Sequence, residues 1–203
     1  TVQMVLLDLH GKARLIGVPG QYSRTSIAPG GAYLLTQAIT RPYSYLVPAS
    51  SFGERIDVRN LDGDVLHTVA TLPLEEGLPQ GNDAVSDGVR HVSWRADAPA
   101  SLVWTEAQDG GDPARAVADG IRDVVYLHAA PFADPPKVLA RLTMRYAGIA
   151  WGREDVALIN ERWHKTRDYK QWMIAPGHLA TPPELIYAGS YEDRYGSPGS
   201  PVL

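Results

Sequence analysis

The chain has 203 residues, 44% apolar and 21% charged, an ordinary balance for a packed domain. Its longest apolar runs, such as Met4-Val5-Leu6-Leu7, are far shorter than the roughly 20 residues of a membrane helix, so no membrane partner is expected. A net charge of −4 without a basic stripe argues against nucleic acid as a partner, and the absence of cysteine leaves no disulfide to staple the fold.

The predicted elements are short strands punctuated by 19 Gly and 16 Pro. Val2 to Leu9 reads as a strand, His10-Gly11-Lys12 as a tight turn and Ala13 to Val18 as the return. Gly11 supplies the positive φ that such turns require. Ser26 to Thr40 holds two strands broken at Pro29-Gly30-Gly31. Arg55 to Asn60 and Val65 to Ala70 form a hairpin around Leu61-Asp62-Gly63-Asp64. The next four strands are Val89 to Trp94, Ser101 to Glu106, Asp123 to His128 and Lys137 to Thr143. The last four are Tyr146 to Trp151, Asp155 to Trp163, Tyr169 to Ala175 and Glu184 to Ala188. Helical periodicity is confined to one short turn within Asp112 to Gly120.

The chain repeats itself. Gly88 to Trp94 followed by Ser101 to Glu106 is echoed by Tyr146 to Trp151 followed by Val156 to Glu161. Trp94 and Trp151 are 57 positions apart (151 minus 94), Glu106 and Glu161 55 apart (161 minus 106). A period of this size built from strands predicts an all-β fold, a partial β-propeller of four-stranded antiparallel blades. At about 55 residues per unit, 203 residues hold about three and a half blades, so the ring is expected not to close within this chain. The blades are placed at about 1–20 (partial), 24–75, 88–144 and 145–190, with a Gly/Ser/Pro-rich loop or linker over 191–203. Open blade edges predict self-association. Thr1 is not an initiator Met, so the chain is expected to be processed or cut from something larger, and no secretory signal fixes a compartment.

No catalytic motif stands out. The hydrolase elbow Gly-x-Ser-x-Gly is absent; Ala84-Val85-Ser86-Asp87-Gly88 is nearest and reads as a polar loop. The six His residues show no metal spacing, and Asp62-Gly63-Asp64 is explained by a hairpin turn, so neither metal nor cofactor is expected. Gln108-Asp109-Gly110-Gly111-Asp112 reads either as a wide solvated turn or as a channel or rim loop presenting Gln108, Asp109 and Asp112. The five Trp residues fit blade packing or ligand stacking, with the recurrence of Trp94 and Trp151 favouring packing.

Several segments together carry a resemblance. These are Thr40-Arg41-Pro42-Tyr43-Ser44-Tyr45-Leu46-Val47-Pro48, Ser93-Trp94-Arg95-Ala96-Asp97, Trp104 to Asp112 and Trp163-His164-Lys165-Thr166-Arg167. In that order, with Leu61 to Asp64 and Leu72-Pro73-Leu74-Glu75, they resemble the glutamyl endopeptidase branch of the prolyl oligopeptidase family. The resemblance runs from about Ile39 to Ser200 and implies a β-propeller that restricts entry to a C-terminal α/β-hydrolase domain bearing a Ser-Asp-His triad. That domain would lie beyond Leu203, so this chain is expected to be non-catalytic, with the parent's hydrolase domain and a peptide substrate as partners. The family's preference for cleavage after glutamate calls for a cation near the substrate, and Arg95, Arg162 and Arg167 are the substrate-binding candidates. Two other readings stay open: a self-standing propeller that binds peptide or carbohydrate, and a scaffold that assembles partners through its rim.

Overall fold

The computed structural model describes residues 1–77, 81–193 and 195–196. Part of the expected linker over 191–203, namely 194 and 197–203, lies outside the described residues. Among the described residues, fourteen strands form four antiparallel sheets, each a simple up-and-down meander. The architecture is a partial propeller of one two-stranded and three four-stranded sheets. The strands divide between two compact units, one of residues 1–77 with 99–101 and one of the described residues within 81–98 and 102–196.

The first unit contains β1 (Val2–Leu7) paired with β2 (Ala13–Gly20), and a sheet of β3 (Tyr22–Ile27), β4 (Leu34–Ile39), β5 (Glu54–Arg59) and β6 (Val65–Leu72) in that order. A single 3-10 turn, Ala49–Ser51, precedes β5. The sheet core is Leu35, Ile56 and Val58, each at most 2% exposed. Asp57, 1% exposed, lies between Ile56 and Val58 on β5. Its charge is matched by Arg55 at 2.9 Å and Arg59 at 3.0 Å, and Thr68 donates to it at 2.8 Å. A buried carboxylate is tolerated only with such partners.

The second unit contains β7 (Val89–Trp94), β8 (Ser101–Ala107), β9 (Asp123–Ala129) and β10 (Lys137–Leu142) in one sheet. The other sheet is β11 (Arg145–Arg153), β12 (Val156–Trp163), β13 (Asp168–Ile174) and β14 (Glu184–Ser190). Strand geometry sends alternate side chains to opposite faces. In β12 this buries Ala157, Ile159 and Glu161. Ala157 and Ile159 meet Val103, Val125, Leu127, Leu139, Ala140 and Leu142 of the neighbouring sheet in one apolar core. Each large aliphatic side chain buried in this way contributes about 1.5–3 kcal/mol. The middle strands β8 and β9 are almost wholly buried, while β14 is largely exposed.

One local expectation fails. Residues 112–120 form successive turns, not a helix. Asp112 Oδ1 accepts from the Ala114 amide at 2.9 Å, and the Asp112 carbonyl accepts from Arg115 at 3.1 Å. A short polar side chain that bonds its own backbone competes with helix formation, and Pro113 has no amide to add.

Candidate functional site

The Gln108 to Asp112 loop leaves β8 and crosses to β9, and its centre is buried. Asp109 is 0% exposed. Its Oδ2 accepts from Arg145 Nη2 and from Arg122 Nη1, both at 2.8 Å, and its Oδ1 accepts from the Gly111 amide at 3.1 Å. Gly111 must be glycine here: its φ is +79°, and a Cβ would lie 1.9 Å from the Val85 carbonyl oxygen. The Val85 amide in turn donates to the Gly111 carbonyl at 3.0 Å. Gln108 is exposed and donates only to the Glu106 carbonyl, at 3.2 Å. Asp112 is half-buried and holds its own turn.

Arg145 opens β11, in the adjacent sheet. Besides Asp109 it reaches Asp123 Oδ1 at 3.1 Å and donates through Nε to the Asp83 carbonyl at 2.8 Å. Asp123, 0% exposed, also accepts from Arg90 at 2.8 Å and from the Tyr146 amide at 2.8 Å. The Asp83 carboxylate receives the His164 and Lys165 amides at 2.7 and 3.0 Å. Trp163 lies beneath Arg122 and Arg145, with centroid distances of 5.1 and 5.7 Å. Loop 81–83, the β8–β9 loop and the β12–β13 turn are thereby tied into one charged cluster joining both sheets of the unit. Burial pushes the Asp109 carboxyl up, but the Arg145 and Arg122 hydrogen bonds outweigh it and hold the group below the usual carboxylate range.

A cleft of about 520 Å³ opens above this cluster, lined by Gly81, Asn82, Asp83, Pro113, Ala114, Arg122, Trp163 and Lys165. Among the described residues no group of three or more His, Asp or Glu is placed to hold a metal.

The three candidate arginines lie in different settings. Arg95 is buried at 6% exposure, and its Nε and Nη2 bind both oxygens of Asp97 at 2.7 Å. It also covers the Trp151 ring at 5.5 Å. Arg167 has a φ of 67°, pairs with Glu192 at 3.0 Å and donates to the His164 carbonyl and the Tyr191 hydroxyl. Arg162, on β12, is exposed and has no carboxylate partner among the described residues. The structure does not gather the three around one point. The cluster residues Asp83, Arg122, Asp123 and Arg145 carry no sequence motif, and Trp163 is singled out only within the resemblance. The one available signal is charge at strand starts, Arg122-Asp123 before β9 and Arg145 at the head of β11.

No model of a known protein family matches the chain. It is similar to the probable chloroplastic glutamyl endopeptidase of Oryza sativa subsp. japonica, 39% identical over 205 residues, which covers 100% of this chain and 22% of that protein. The probable chloroplastic glutamyl endopeptidase of Arabidopsis thaliana is 39% identical over 203 residues, covering 99% of this chain and 21% of that protein. The chain therefore spans about a fifth of the length of these relatives. A solved oligogalacturonate lyase in complex with manganese superposes with a TM-score of 0.58 over 92% of this chain and 48% of that one. At 10% identity that likeness is one of fold alone.

Proposed function

We propose, starting from the relation of this chain to the glutamyl endopeptidases, that it is the non-catalytic propeller segment of a serine peptidase and filters that enzyme's peptide substrates. The observation that carries the reading is the match along the whole chain to plant glutamyl endopeptidases, of which it spans only about a fifth. The blade-like sheets of the fold support it. The nucleophile and its base then belong to a hydrolase domain elsewhere in the parent. The filter is steric: a passage bounded by blade strands admits an extended chain and rejects a folded domain.

For recognition of glutamate, Arg162 is the strongest of the three arginines. The carboxylate-gripping faces of Arg95 and Arg167 are already engaged by Asp97 and Glu192, whereas a free guanidinium can take a substrate carboxylate through two parallel hydrogen bonds. The exposed Leu9 of the β1–β2 turn and Leu15 and Val18 of β2, 103%, 68% and 68% exposed, support self-association of the isolated chain.

A fluorophosphonate probe tests the first part. It should label the parent protein and leave the 203-residue chain unlabelled; labelling of the chain overturns the reading. In the parent, Arg162→Gln should lower cleavage after Glu relative to cleavage after Gln. An unchanged ratio removes Arg162 from substrate recognition.

A further inference from the structure

The cleft above the ion cluster has an unbalanced charge. Three arginines, Arg90, Arg122 and Arg145, are bonded into the cluster, and Lys165 lines its mouth, giving four cations. Against them stand Asp83, Asp109 and Asp123, giving three anions. The sum is one positive charge (4 minus 3). The three carboxylates are committed to partners within the cluster, whereas Arg122 and Lys165 line the cleft. Asp109 and Asp123 are 0% exposed on arginines, and Asp83 is 7% exposed with both oxygens on backbone amides.

Two of the four cations, Arg122 and Lys165, line the cleft and keep donors uncommitted. Arg122 spends only Nη1, on Asp109 and on the Arg115 carbonyl. Its Nε and Nη2 have no partner among the described residues. Lys165 is exposed and has no carboxylate partner among the described residues. Stacking on Trp163 fixes the plane of the Arg122 guanidinium, so little side-chain entropy is lost when it binds a ligand.

We propose that this cleft binds a carboxylate, held by Lys165 and Arg122 against the edge of Trp163, independently of what the parent protein cleaves. The carboxylate could be the side chain of an acidic residue in an extended peptide or one end of a free dicarboxylate. The two sources share one chemistry, and the experiment below tells them apart. Arg162 does not line this cleft, so the outcome does not depend on the reading of Arg162 as a substrate ligand.

The test is a titration of the chain followed by ¹H–¹⁵N NMR, reading the indole N–H resonance of Trp163, assigned through Trp163→Phe. The probes are glutarate, an acetylated and amidated Ala-Glu-Ala peptide, and its Ala-Gln-Ala counterpart. Glutarate and the Glu peptide should shift the Trp163 resonance saturably, and the Gln peptide should not. Lys165→Gln should weaken both by about tenfold, the scale of one charge-assisted hydrogen bond. Lys12→Gln, in the β1–β2 turn of the other unit, should change neither. Tighter binding of the Glu peptide assigns the site to acidic peptides; tighter binding of glutarate assigns it to free dicarboxylates. Equal shifts with the Gln peptide, or undiminished binding by Lys165→Gln with an unchanged circular dichroism spectrum, overturn the proposal. So does the absence of any saturable shift at millimolar ligand.

Discussion

Arg145 at the head of β11 donates to Asp109 Oδ2 at 2.8 Å, across the boundary between two sheets and 36 positions away in sequence. Both side chains are nearly sealed from water, at 6% and 0% exposure. The contact between neighbouring blades is therefore ionic at one end and apolar in the middle. The apolar part supplies most of the driving force, and the ionic part sets how the two sheets register. A buried carboxylate accepts few geometries.

Removing the hub of that cluster should be costly. Arg145→Met leaves Asp109 and Asp123 buried with fewer partners, and loss of one member of a buried ion pair costs about 3–5 kcal/mol. Asp62→Ala removes the exposed pair with Arg14, and exposed pairs are worth about 0–1 kcal/mol. Urea unfolding of both variants should show that gap; similar midpoints would mean the cluster adds little to stability.

The pH dependence follows from the same bonds. The folded-state carboxyl of Asp109 lies below its ordinary value. A depressed acid contributes stability that is present above its unfolded pKa and is lost as pH falls through the folded one. Wild type should therefore lose this contribution on acidification below about pH 4. Asp109→Asn, less stable at neutral pH, has no such contribution to lose. The difference in unfolding free energy between the two proteins should narrow from pH 6 to pH 3, and a constant difference would mean Asp109 does not titrate with folding.

Gly111 offers a test of backbone fit. Gly111→Ala must hold φ near +79° and also displace Val85, whose carbonyl oxygen is 1.9 Å from the new Cβ position. Gly120→Ala must hold a φ of +73° but meets nothing within 4 Å. Gly120→Ala should cost about 1–2 kcal/mol, the strain of an L residue at positive φ. Gly111→Ala should cost more, and thermal unfolding would show the order.

Glu161 has a similar role in the same unit. At 1% exposure it accepts from the Met144 amide at 2.7 Å and from Trp172 Nε1 at 2.9 Å, with Lys170 3.8 Å away. Glu161→Ala strands these donors and should cost about 2–3 kcal/mol. Release of the indole N–H should also shift tryptophan emission to the red, and an unshifted spectrum would mean that Trp172 stays sequestered.

The strands were legible because their causes are local. Alternation of apolar and polar residues marks each strand, and Gly, Pro and Asp mark each turn, as at Leu61 to Asp64. The repeat was legible too, since Glu106 and Glu161 occupy matching places. In the structure each accepts an indole N–H, from Trp104 at 2.7 Å and from Trp172 at 2.9 Å. The short helical turn allowed within residues 112–120 did not form, because periodicity carries no information on how Asp112 bonds its own backbone.

The partners of the charged residues were decided by tertiary structure alone. In sequence, Asp109 is a turn carboxylate and Arg145 one of 15 arginines. Arg145 meets Asp109, Asp123 and the Asp83 carbonyl over separations of 36, 22 and 62 positions. Hydrophobic periodicity says which face of a strand is buried, and that follows from the local chain. Which charge meets which depends on how two sheets lie side by side, and a charge carries no local mark of its distant partner.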